Sequence, residues 1–143
     1  MLRSILEDPY KLCLVIAFLH VFADFNLQIG GRLHDFKCKQ WWLRAFRDQH
    51  EVPYDIACRR YGRDYIVALA LHSVVWSIVT FLPLAFRPDC PGRIALMTIC
   101  LNAAFHGYVD HLKANRERIN LIVDQFLHLV QIAATVAAFW YYS

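Results

Sequence analysis

The 143 residues are enough for one domain with one core, and hydrophobic residues make up 58% and aromatics 15%, both high for a soluble domain. A net charge of +3 is too mild to argue for a nucleic-acid partner. The five cysteines, at positions 13, 38, 58, 90 and 100, are odd in number and include no Cys-x-x-Cys, so neither a disulfide framework nor a thiolate zinc site is suggested.

Residues 1–10 are a short polar start. Residues 11–29, KLCLVIAFLHVFADFNLQI, form the first apolar run and carry His20, Asp24 and Gln28. A secretory signal would have a shorter apolar core and a small-residue cleavage site, so the run reads as retained. The stretch 30–63 differs in kind: Gly30-Gly31 ends the run, and basic and aromatic residues then alternate. Within it, Lys37 to Gln49 reads as an amphipathic helix. Its Trp41, Trp42, Leu43 and Phe46 face either lipid or the helix ends beneath a folded cap. Three more apolar runs follow, at about 64–86, 94–112 and 119–141.

Each run matches the length of a bilayer core. The second and fourth lack the broad polar stripe of a soluble bundle helix. The expected fold is therefore all-α, an integral membrane four-helix up-down bundle forming one domain over 1–143. A cytoplasmic amphipathic loop joins helices one and two, and the lipid bilayer is the partner. Arg44, Arg47, Arg59, Arg60 and Arg63 crowd that loop and Lys113, Arg116 and Arg118 follow run three, which puts both termini outside. The final Phe139-Trp140-Tyr141-Tyr142 has the composition of an interfacial belt.

His20/Asp24, His106/Asp110 and the reversed Asp124/His128 each lie four apart, about 40° around a helix. The helix directions bring all three pairs, with His72, Gln28 and Lys113, to the cytoplasmic half. Ionisable groups there require mutual compensation. A metal-free ionic network and a proton path are two solutions. The favoured one is a divalent cation held by His20, Asp24, His106, Asp110, Asp124 and His128, since paired ligands on facing helices build carboxylate metal centres in bundles. Imidazole and carboxylate without thiolate suit zinc first, with iron or manganese as alternatives. Gln28 and Gln125 are expected to orient the ligands, His72 to act as further ligand or general base, and Lys113 to meet an anionic substrate. His34, His50 and His111 read as solvated.

The order Leu19-His20-x-x-x-Asp24-Phe25-x-x-Gln28, His72, His106-x-x-x-Asp110-x-x-Lys113 and Asp124-Gln125-x-x-His128 resembles domain-of-unknown-function family 3307, small membrane proteins of bacteria and phages. The resemblance spans all four runs. It implies a multi-pass protein of the bacterial inner membrane, with no assigned activity, and a basic residue soon after Gln28, a place that Lys37 or Lys39 fills. The bulk of residues 40–63 departs from the family pattern. A looser likeness, in His/Asp-bearing membrane helices, is to predicted membrane-bound metal-dependent hydrolases. The expected function is hydrolysis of an amphiphilic or lipid-linked ester or phosphoester from the cytoplasmic side. Two alternatives stand beside it: a proton- or ion-coupled transporter, which with four helices calls for a homo-oligomer, and a non-enzymatic interaction protein acting through the Trp-rich loop.

Overall fold

The computed structural model of the chain describes residues 6–26, 33–87 and 90–142, and every regular element among them is a helix. Helix α1, Pro9–Val21, starts where physical rules favour it. The Asp8 carboxylate accepts from Tyr10 N and Lys11 N at 3.0 and 3.2 Å, and Pro9 opens the first turn. The helix passes directly into a single π-helical turn, Phe22–Asn26. Its wider i→i+5 spacing accommodates an extra residue per turn, and Ala23 and Asp24 are both buried there. Gln28 and Gly30-Gly31 lie outside the described residues.

Three short helices follow: α2 (Leu33–Phe36), α3 (Lys39–His50) and α4 (Tyr54–Tyr61). The α3 boundaries agree with the expected amphipathic segment to within two residues. Leu43 is buried, and Phe36 meets Trp41 and Trp42 edge-on with ring centroids 5.0 and 4.9 Å apart. Phe46 stacks on Tyr61 at 4.4 Å, joining α3 to α4. This aromatic cluster gives the segment the packing of a cap.

The long helices α5 (Asp64–Ala85), α6 (Gly92–Ala114) and α7 (Leu121–Tyr142) lie close to the expected runs. Cross-helix contacts set their directions. Gly107 faces Ser73 while Ser77 Oγ donates to Ile99 O at 2.8 Å, so α5 and α6 are antiparallel. Lys113 meets Asp124 and Thr135 meets Asn102, so α6 and α7 are antiparallel too. A Cβ on Gly107 would come within 2.8 Å of Ser73 Oγ, and glycine there permits the close approach beside His106.

The interior divides along the helix axes. One end is apolar, with Leu12, Ile16, Phe81, Leu84, Val136 and Phe139 buried. The other holds His20, Asp24, Lys37, His72, His106, Asp110, Asp124 and His128, all buried. The outer faces reverse the usual pattern: Leu14, Phe18, Leu101, Ile122 and Phe126 are 63–78% exposed. Helices α5 and α7 are long and apolar enough to span a membrane.

Candidate metal centre

Helix α1 and the three long helices all contribute to the polar end, because each carries residues three or four apart on its inward face. Asn102, His106, Asp110 and Lys113 form one stripe on α6, and Asp124, His128, Gln131 and Thr135 another on α7. Helix α5 supplies His72 and Trp76, and α1 with its π turn supplies His20 and Asp24.

The carboxylates at the middle are held in the same way. Lys37 Nζ donates to Asp110 Oδ2 at 2.6 Å, and Lys113 Nζ donates to Asp124 Oδ2 at 2.5 Å. Each ammonium takes one oxygen and leaves the other. Asp110 Oδ1, Asp124 Oδ1 and His128 Nε2 are buried without a hydrogen-bond partner. The imidazole nitrogen stands near both oxygens: His128 Nε2 lies 3.8 Å from Asp110 Oδ1 and 3.5 Å from Asp124 Oδ1. Buried ligand-type atoms with no hydrogen bond carry a desolvation cost that a bound cation would remove.

Three imidazoles run through the centre. His72 Nε2 is 3.0 Å from His106 Nε2, and His106 Nδ1 is 3.3 Å from His128 Nδ1. Two residue groups have ligand atoms close enough to share one ion: Asp24, His72 and His106, and His106, Asp110 and His128. His106 belongs to both. Its ring lies flat on Trp76, with centroids 3.9 Å apart and planes 10° from parallel, so the indole fixes the ring's plane.

Gln125 supports the carboxylates. Its Nε2 donates to Asp24 Oδ2 at 2.9 Å and to Asp124 Oδ2 at 3.1 Å. Its Oε1 faces His20 Nε2 at 3.0 Å, while Trp76 Nε1 donates to His20 Nδ1 at 3.1 Å. Because Nδ1 accepts, Nε2 carries the proton and donates to Gln125. Both nitrogens of His20 are thereby engaged, and the ring braces Gln125. Below His128, Gln131 Nε2 donates to Asn102 Oδ1 at 2.8 Å, and Gln131 Oε1 is 3.4 Å from His128 Nδ1.

Lys37 and Lys113 thus hold the carboxylates of Asp110 and Asp124 in a closed interior that Asp24 shares. Of the expected residues, His72, His106, Asp110, Asp124 and His128 converge with Asp24 and Gln125, and Lys113 is drawn onto Asp124. Gln28, expected to orient a ligand, lies outside the described residues. His111 stacks on Tyr65 and His50 on Phe46, both away from the centre.

Spacing alone misses Lys37, Trp76 and the Asn102–Gln131–Thr135 network. For Lys37 the available signal was the basic residue expected after Gln28. For the network it was the continuation of both stripes past the histidines.

Comparison with family models, curated proteins and solved structures finds no match. The likeness to family 3307 rests on motif order alone.

Proposed function

We propose that the chain is a multi-pass membrane protein of the four-helix kind with a divalent metal centre in its cytoplasmic half. It uses that centre to hydrolyse an amphiphilic or lipid-linked ester or phosphoester. Membership of family 3307 and residence in the bacterial inner membrane belong to the same reading. The membrane part is supported by apolar outer faces around an interior that is polar at one end, an arrangement suited to lipid. The metal part is carried by one observation: Asp110 Oδ1, Asp124 Oδ1 and His128 Nε2 are buried without a hydrogen bond, and the imidazole nitrogen lies within 3.8 Å of both oxygens.

Zinc fits the donor set first, and iron or manganese remain compatible with it. A cation there would polarise a water molecule for attack. His106, Asp110 and His128 serve as ligands, and Asp124 as ligand or water-orienting base. Lys37, Gln125 and His20 hold the carboxylates in place, and His72 is a further ligand or general base. Lys113, with 21% of its side chain exposed, is the centre's most accessible cation and the group assigned to substrate negative charge.

Metal analysis of detergent-purified protein tests the core of this reading. Bound zinc, iron or manganese and a melting temperature lowered by chelator are expected; no metal and indifference to chelator would overturn it. Hydrolysis of micellar acyl esters and phosphoesters, lost in Asp124→Asn, tests the activity. One observation favours a second reading. The close His72–His106–His128 nitrogens form a path along which a proton can be relayed, as in an ion-coupled transporter. That reading requires pH-dependent flux in liposomes that survives chelation.

A further inference from the structure

The two ligand groups share His106, so their donor atoms alone leave open whether the centre takes one divalent ion or two. The position of Lys37, taken with the atoms that lack a hydrogen bond, bears on that choice. Its side chain is 3% exposed, and its Nζ stands 2.6 Å from Asp110 Oδ2 and 3.4 Å from His72 Nε2. His72 Nε2 in turn is 3.8 Å from Asp24 Oδ1 and 3.0 Å from His106 Nε2. A metal bound to His72 Nε2 at the usual distance of about 2 Å would lie no further than about 5.5 Å from the ammonium. Both cations would then share one low-dielectric interior, where repulsion is strong, whereas an ion on Asp110 Oδ1 would have the Asp110 carboxylate charge between it and the ammonium on Oδ2.

The ammonium is also held from outside the centre. Asn115 Nδ2 donates to Lys37 O at 3.0 Å, and Lys39 N donates to Asn115 Oδ1 at 2.8 Å. Cys38 Sγ reaches Ala114 O at 3.5 Å. These contacts fix residues 37–39 against the end of α6 and direct the lysine inward. On the opposite side, Asp110 Oδ1 and His128 Nε2 have no hydrogen-bond partner.

We infer that the centre holds one divalent ion, in the His106–Asp110–His128 group, and that Lys37 supplies the second cation beside Asp24, His72 and His106. The inference rests on the metal reading above and adds its stoichiometry and location. A fixed ammonium in this place does electrostatically what a second ion does in paired-metal sites, but it does not exchange with solvent. Lys37 is thus a positioning and stoichiometry-setting residue, acting through Asp110 and His72.

The test is zinc per chain in detergent-purified, zinc-loaded and desalted protein, measured by elemental analysis. One zinc is expected in the natural protein and in Lys37→Arg, and two in Lys37→Met. Asp24→Asn should keep one zinc with its affinity changed less than about threefold, whereas His128→Gln should lose it. Two zincs in the natural protein, or loss of the single zinc in Asp24→Asn, would overturn the inference while leaving a metal centre standing. No zinc, iron or manganese in the natural protein would overturn the metal reading itself. If Lys37→Met does not fold, the natural protein and Asp24→Asn decide the matter.

Discussion

Replacing Lys37 by methionine keeps an unbranched apolar stem and deletes the ammonium. The charges in the Lys37–Asp110 pair are 2.6 Å apart, which corresponds to about 6 kcal/mol of attraction at an effective dielectric of about 20. Desolvation offsets part of that attraction when both partners are present, but removing one partner strands the other. Such half-pairs typically cost about 3–5 kcal/mol, and that is the expected destabilisation for Lys37→Met and for Asp110→Asn. The double variant should cost less than the sum by at least about 2 kcal/mol, because the second change removes the stranded charge. Lys113→Met is the internal control: its side chain is 21% exposed, so water partly replaces the lost contact and the cost falls to about 1.5–3 kcal/mol. Unfolding by increasing SDS fraction in mild detergent, followed by tryptophan emission, measures all four variants. Additivity of the Lys37 and Asp110 changes within about 0.5 kcal/mol would refute the reasoning. So would a greater loss in Lys113→Met than in Lys37→Met.

Free zinc at about one hundred times its Kd should stabilise the natural protein by about 2.7 kcal/mol, and His128→Gln should abolish that dependence in a thermal scan. Gly107→Ala should lower the melting temperature by forcing α6 away from Ser73, and adding Ser73→Ala should recover most of the loss. Asp8 predicts a small pH effect outside the apolar runs. The Lys11 hydrogen bond holds its carboxyl below the ordinary value of 3.8. Its contribution is therefore present above the unfolded-state pKa and is lost as pH falls through the lower folded one. The melting temperatures of the natural protein and Asp8→Asn should accordingly differ near neutral pH and converge in strong acid.

The histidine–aspartate pairs were legible because four-residue spacing and helix direction are both local properties. Once α5, α6 and α7 alternate in direction, His72, His106, Asp110, Asp124 and His128 have one end of the bundle to share. Lys37 was not legible in that way: it opens a segment read as an amphipathic helix, where a lysine is expected to face outward, and its contact with Asp110 spans 73 positions. The π turn at Phe22–Asn26 leaves no mark in spacing, since the same residues suit an ordinary α turn. Trp76 looked like one more apolar residue in a long run. Only the assembled core shows its indole nitrogen on His20 and its ring face on His106. Leu43 shows the limit of amphipathic reasoning: its side of α3 was correctly apolar, but spacing could not say whether lipid or protein would cover it.

The Asn115 side chain reads the backbone on both sides of Cys38, accepting from Lys39 N while donating to Lys37 O. It therefore works as a register mark for the whole polar loop. Residues added at the α3–α4 junction, about Glu51 to Pro53, would alter the loop's bulk and leave the lysine at its depth. A single residue inserted between Lys37 and Lys39 would break the match and withdraw a charge from the interior. The loop has room to vary in length between its helices, and is fixed to the residue at the place where Asn115 holds it.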